Sequence, residues 1–119
     1  MQIYVKNHFE GLHRWKDAPE AQKFIKDYHR HIFYCVTTAE VFEDDRDIEF
    51  FALKSQINEF WNSKKQQLGG GVDWSCEQMA KMLLTYLHKI YPGRCLSVDI
   101  SEDNENGAVV TMLKNGEII

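Results

Sequence analysis

Residues 28–42 read YHRHIFYCVTTAEVF and carry the strongest strand signal in the chain. From Ile32 to Phe42 the segment is rich in β-branched and aromatic residues, which favour a pleated, half-buried strand. Two histidines, His29 and His31, stand at the head of this predicted strand. Because strand side chains alternate between faces, the two imidazoles are expected on one face of the sheet.

A third histidine, His13, lies at the end of residues 2–15, whose loose alternation of apolar and polar residues predicts a first strand. If the two strands pair antiparallel, His13 meets His29 and His31 across the ladder. Three neutral imidazoles with an open fourth position form the ligand set of a catalytic-type zinc site. A zinc-class metal on these three residues is therefore one interpretation, which the family resemblance described below favours. The competing interpretation is three surface or hydrogen-bonded histidines.

Two helices are predicted between the second and third strands. A charged turn at 43–47 precedes the first helix, whose apolar residues recur at helical spacing at Phe50, Leu53, Ile57 and Phe60 or Trp61. Three glycines at 69–71 predict a flexible link after it. Ser75 and Gln78 form a capping-box pattern at the start of the second helix, and Pro92-Gly93 stops that helix.

The C-terminal part predicts a hairpin. Residues 96–101 alternate as a third strand, Asn106-Gly107 is a hairpin-turn signal, and residues 108–113 return as a fourth strand. The order β-β-α-α-β-β predicts one α+β domain over residues 1–119. We expect a four-stranded antiparallel sheet with both helices on one face.

Composition excludes several classes of protein. The 119 residues carry a net charge of −4, so the basic footprint of a nucleic-acid binder is missing and no duplex partner is expected. No apolar run approaches a membrane span, and no membrane partner is expected. The three cysteines have no CxxC spacing, which favours free thiols in a reducing compartment and therefore a cytoplasmic protein.

The histidine motifs also resemble those of a known family. Residues 9–13 (FEGLH) and 29–31 (HRH) are similar to the phenylalanine-to-histidine and His-Gly-His motifs of the 6-pyruvoyl-tetrahydropterin synthase and 6-carboxytetrahydropterin synthase family. Residues 47–54, 74–77 and 98–102 resemble three further family segments in the same order. The resemblance covers nearly the whole chain in short pieces. It implies the family's tunnelling fold, the T-fold, and supports zinc on the histidines.

The resemblance also implies a ligand pocket. Glu102 corresponds to the family's pterin-anchoring glutamate, and a carboxylate accepts two parallel hydrogen bonds from a pterin or guanine ring edge. Ser75 and Cys76 stand where the family begins its second helix. Ser75 is first a helix cap, and Cys76 is a small buried residue whose helix-start position could lower its pKa. Arg14, Trp15 and Arg30 flank the histidines and are candidates for contacts with anionic or planar groups. T-folds assemble edge to edge, so a homo-oligomer with the pocket at a subunit interface is implied.

The chain departs from the family at its catalytic positions. No cysteine occurs at 24–27, where the family has one before its His-x-His motif, and residues 64–73 lack the family's Asp-His pair. The catalytic residues are therefore left unknown, and we expect a binder of a pterin, guanine or nucleotide-like molecule.

Two alternatives stay open. Such trimmed T-fold chains look like phage products, so the first is a phage-type sponge or inhibitor that sequesters a host nucleotide signal or blocks a host defence protein. The second is an active divergent synthase, a lyase of a pterin or deazaguanine pathway. It would use Cys35, Cys76 or Asp27 in place of the missing groups.

Overall fold

The structure is a computed structural model that describes all 119 residues. Its elements are β1 (Gln2–His13), a 3-10 turn (Glu20–Ile25), β2 (His29–Glu40), α1 (Phe50–Gly70), α2 (Cys76–Ile90), β3 (Leu96–Glu102) and β4 (Asn106–Met112). The predicted order β-β-α-α-β-β and the α+β class are confirmed, and the arrangement is consistent with a T-fold. Neither helix is both long and apolar enough to cross a membrane.

The four strands form one antiparallel sheet in the order β1-β2-β3-β4. The ladder between β1 and β2 is unbroken, from Gln2 opposite Glu40 to His13 opposite His29. A register slip of one residue would move every side chain of a strand to the other face, so this pairing decides which residues meet. It brings His13 to the end of the sheet where β2 begins.

One face of the sheet carries the core. On β2, Phe33, Cys35 and Ala39 are fully buried, while the intervening Tyr34 is exposed on the opposite face. The helices cover the buried face, with α1 packed on β1 and α2 packed on β3 and β4. The apolar and polar side chains that alternate along the sequence therefore face the core and the solvent in turn.

Both helices begin with a side-chain cap. The Glu49 carboxylate accepts hydrogen bonds from the amides of Phe51 and Ala52 at the start of α1. At the start of α2, Ser75 Oγ accepts from the Gln78 amide at 3.2 Å, and the Gln78 side chain accepts from the Ser75 amide at 2.9 Å. The predicted capping box is confirmed, and it fixes where α2 starts.

The predicted flexible glycine link is wrong. Helix α1 continues through two of the three glycines to Gly70, so most of residues 64–73 is helix and the connection to α2 is short. Leu68 is only 1% exposed, and burying its side chain under the last turn outweighs the low helix propensity of glycine. Only Gly71 leaves the helix, at φ 90°, and a Cβ there would lie 2.5 Å from the Tyr28 ring.

The predicted turn at Asn106-Gly107 is also misplaced. The loop of the β3–β4 hairpin is residues 103–105, with Asp103 and Asn104 at φ 53° and 61°. Asp and Asn tolerate this left-handed region better than other non-glycine residues, so they make the turn. Gly107 lies inside β4, where a Cβ would come within 2.1 Å of the Ile100 carbonyl oxygen. The glycine is needed for close strand approach.

Candidate metal centre

The three predicted histidines meet at one end of the sheet. Each offers a ligand atom, and these atoms lie within 4.8 Å of one another. The ring centroid of His13 lies 4.6 Å from that of His29 and 5.1 Å from that of His31. His13 is buried, and the other two are partly buried. The β1–β2 register produces this convergence, because His13 lies directly opposite His29.

Every one of these rings is held from its Nδ1 side. His13 Nδ1 lies 2.8 Å from the Trp74 carbonyl oxygen, and His29 Nδ1 lies 2.9 Å from the Asp27 carbonyl oxygen. His31 Nδ1 lies 2.6 Å from a carboxylate oxygen of Asp103. These partners only accept, so each Nδ1 carries the proton and donates it. The three Nε2 lone pairs are therefore left free to bind a metal, in the tautomer that outer hydrogen bonds normally impose on metal ligands.

The environment of His13 fits a cation. Its Nε2 is buried and has no hydrogen-bond partner. Burial lowers the pKa of His13 below its ordinary value because it disfavours the imidazolium, so the ring is neutral at pH 7. The nearest charged atom is Glu102 Oε1, which lies 3.0 Å from His13 Nε2. Like the unprotonated Nε2, this oxygen is a hydrogen-bond acceptor. An ion pair between them would need a protonated ring, which burial opposes, whereas a divalent ion satisfies both lone pairs.

Asp103 is a site residue that the sequence analysis missed. Its carboxylate accepts from His31 Nδ1 and also from the Ile32 amide at 2.9 Å. The hydrogen bond from His31 is the main reason that the pKa of Asp103 lies below its usual range. The sequence signal that could have identified Asp103 is an acidic residue directly after β3, which ends at Glu102. In the register of β2 against β3, Glu102 lies opposite Phe33. This register is what brings the next residue, Asp103, close to His31.

A cavity of about 1010 Å³ opens beside the histidines. The three predicted ligand-contact residues, Glu102, Ser75 and Cys76, all line it. Its wall also includes Arg14, Trp15, Phe24, Ile25, Asp73, Trp74, Glu77, Gln78, Asn106 and Gly107. Its volume is at the upper end of the range for small-molecule sites, and its wall mixes aromatic surface with charged groups.

Arg30, the third residue that flanks the histidines, is not part of the wall of this cavity. It lies between His29 and His31 on β2, and strand alternation turns it to the opposite face. There its guanidinium pairs with Glu10 of β1. Arg14, by contrast, lines the cavity and donates to Asp73 at 2.6 Å.

The thiols of the core and cavity are held in their protonated form. Cys76 is buried with its Sγ 3.9 Å from Glu102 Oε1. Burial, together with the nearby negative charge of Glu102, raises the pKa of Cys76 to about 12. Desolvation outweighs any lowering of the pKa by the helix start. Burial likewise raises the pKa of Cys35 to about 11.

Alkylation should distinguish the three cysteines. At pH 8 and in the presence of a chelator, iodoacetamide is expected to modify the partly buried Cys95 first. Cys76 should react far more slowly, since a pKa near 12 leaves on the order of one thiolate in ten thousand thiols. Peptide mass spectrometry after timed labelling measures the order, and labelling in urea should make all three react. Native Cys76 reacting as fast as Cys95 would contradict the expectation.

The fold and the site together define a class: an α+β sheet protein with a candidate three-histidine metal centre at the edge of a ligand-sized cavity. No protein-family model matches the sequence, and no curated protein matches it.

Proposed function

We propose that the chain is a T-fold protein, similar to the 6-pyruvoyl-tetrahydropterin synthase family, that binds a pterin or purine-like heterocycle beside a zinc-class metal. One observation carries the proposal. Three imidazoles converge with every Nδ1 engaged outward and every Nε2 left for a metal, at the wall of a cavity of about 1010 Å³. When bound, the metal supplies an electrophilic centre for an oxygen or nitrogen of the ligand.

The cavity offers the groups that a planar heterocycle requires. Glu102 lines it with a partly exposed carboxylate that has two acceptor oxygens. Such a carboxylate accepts from a ring N–H and an exocyclic amine together. Trp15 and Phe24 also line the cavity, and both are largely exposed, at 50% and 76%. Exposed aromatic rings beside a polar anchor favour a flat ligand that stacks.

The cavity favours a binder over a working synthase. Of the three proposed substitutes for the family's catalytic groups, only Cys76 lines the cavity; Cys35 is fully buried in the core, and Asp27 is not part of the wall. In the metal-free protein, burial and the charge of Glu102 raise the pKa of Cys76 to about 12, which disfavours the thiolate at neutral pH. General acid–base chemistry needs a titratable group matched to the working pH, and a protonated buried thiol does not provide one.

The same observation favours sequestration as a second candidate. A cavity that keeps the heterocycle anchor without the proton-transfer groups retains its ligand unchanged. This is the behaviour of a sponge for a nucleotide signal, of the kind that phages direct against a host. Blocking a host protein would need neither the histidines nor the cavity.

Calorimetry with a panel of pterins and guanine nucleotides tests the proposal. Zinc is kept at a saturating concentration, so that any change in metal affinity does not limit the result. At least one heterocycle is expected to bind, and Glu102→Ala is expected to abolish that binding. Glu105→Ala is the matched control, because Glu105 is exposed on the same hairpin and does not line the cavity. If no heterocycle binds to the wild-type protein, the blocking of a host protein replaces heterocycle binding as the proposed function.

A homo-oligomer is also expected, with a subunit number that is a multiple of three. The outer edge of β1 is paired only at its end, where His13 bridges Val72, and β4 is paired outward only near Met112 by the C-terminal tail. Unpaired strand edges present backbone groups that a neighbouring copy can satisfy. Light scattering across a micromolar concentration series measures the mass. A monomer throughout would rule out assembly and an interfacial pocket with it.

A further inference from the structure

The carboxylate of Glu102 stands at bonding positions around the histidine cluster. Its Oε1 lies 3.0 Å from His13 Nε2, and its Oε2 lies 3.4 Å from His31 Nε2. Zinc binds nitrogen and oxygen at 2.0–2.2 Å, so two ligand atoms of a tetrahedral site are separated by roughly 3.3–3.6 Å. The two observed distances are close to those between neighbouring ligands of a single ion.

The backbone holds Glu102 in this position. It is the last residue of β3 and lies opposite Phe33 of β2, whose side chain is fully buried beneath the histidines. The next residue, Asp103, accepts the Nδ1 proton of His31. Two successive acids therefore bracket one imidazole: Asp103 on the proton side and Glu102 on the lone-pair side.

A cation between these atoms would stabilise the arrangement. The Nε2 atoms of His13 and His31 are acceptors, since their Nδ1 atoms carry the protons, and a carboxylate is an acceptor as well. Acceptors at such distances repel one another unless a positive charge lies among them. A shared divalent ion satisfies all of these lone pairs at once.

We propose that Glu102 is the fourth ligand of the metal and closes the site as a three-histidine, one-glutamate centre while no organic ligand is bound. This inference rests on the metal centre of the proposed function and deepens it. A three-histidine centre alone leaves one position to water. Here the carboxylate fills that position, so the resting centre is coordinatively closed.

Metal affinity is the first test. Zinc titration against a competing chelator is expected to show that Glu102→Gln binds zinc at least about ten- to a hundredfold more weakly than wild type, because even an outer-shell change costs that much. Glutamine preserves the shape of the side chain, so folding is maintained. The matched control is Glu77→Gln, which removes the same charge from the same cavity wall and should leave the affinity within about threefold of wild type.

Access to the metal is the second test. Cobalt(II) is loaded in place of zinc, and its visible spectrum is followed as azide is added. Wild-type protein is expected to keep its spectrum, because Glu102 fills the fourth position. Glu102→Gln is expected to shift its spectrum, because azide displaces a weakly held water or amide.

The outcomes separate the two claims. Azide binding to wild type as readily as to Glu102→Gln, or equal zinc affinity in the two proteins, overturns the role of Glu102 and leaves the three-histidine centre intact. Wild-type protein that takes up neither zinc nor cobalt overturns both the centre and the fourth ligand. Heterocycle binding is measured separately by calorimetry and affects neither the zinc titration nor the cobalt spectra.

Discussion

His13→Ala is expected to weaken zinc binding by at least about a hundredfold, and the variant should be purified with almost no metal. His13 is the buried member of the cluster, and its Nε2 has no hydrogen-bond partner. Removing an outer partner of a metal-binding histidine already costs about 10–100-fold, so removing a direct ligand should cost no less than the upper end. Elemental analysis of protein prepared without chelator measures the result, with one ion per chain expected in the wild type.

His8→Ala is the matched control for this experiment. His8 lies on the same strand, but it is exposed on the opposite face, where its ring lies 6.0 Å from that of Tyr34. Its removal should leave the metal content unchanged. A wild type without stoichiometric metal, or a His13→Ala protein that retains it, would refute the metal centre.

Phe33→Ala is expected to lower the free energy of unfolding by about 3–5 kcal/mol, because it removes a large buried ring and leaves a cavity. Phe33 is completely buried at the centre of β2. Its ring stacks on that of Phe9 at 5.5 Å and meets the rings of His13 and His31 edge-on at 5.2 and 5.8 Å. The expected loss is a large share of the roughly 5–15 kcal/mol that stabilises a typical domain. Urea denaturation in the presence of chelator measures it without a contribution from bound metal.

Tyr34→Ala provides the comparison within the same strand. Tyr34 is the next residue, also aromatic, but it is 37% exposed on the face that no helix covers. Its loss should cost much less, since exposed positions usually change stability by about 0.5 kcal/mol or less. Equal losses at the two positions would mean that the helix-covered face does not form the core.

The sheet and the helices could be predicted because their signals are local. Alternation along β2 and the pairing of Ser75 with Gln78 each depend on a few neighbouring residues. The extent of α1 could not be predicted in the same way. Glycine at 69 and 70 disfavours helix, but the burial of Leu68 decides the outcome, and burial is a property of the folded chain. The position of the β3–β4 turn was predicted wrongly for a different reason. Asn106-Gly107 carries a strong turn signal, whereas Asp103 and Asn104 form the turn.

The convergence of the three histidines could be predicted from alternation and antiparallel pairing, whereas the choice of a metal over surface histidines depended on the family resemblance. The groups that orient the rings could not be predicted. Trp74 and Asp27 act through backbone carbonyls, which every residue possesses, so no side-chain pattern marks them. The position of Arg30 illustrates the same rule from the other side. Its nearness in sequence to two site histidines suggested contact, but alternation along a strand places it on the opposite face.

The unbroken β1–β2 ladder and the Glu102 contact give a bound ion a mechanical role. The four proposed ligands, three histidines and Glu102, lie on three adjacent strands, so an ion held by them would act as a cross-link at one end of the sheet. At a free concentration one hundred times its dissociation constant, a ligand specific for the folded state adds about 2.7 kcal/mol of stability. Fraying at that end would have to break the cross-link first. Amide hydrogen exchange near residues 11–13 and 29–31 should therefore slow on metal addition, whereas exchange at the distant end of the ladder, near Gln2 and Glu40, should change least.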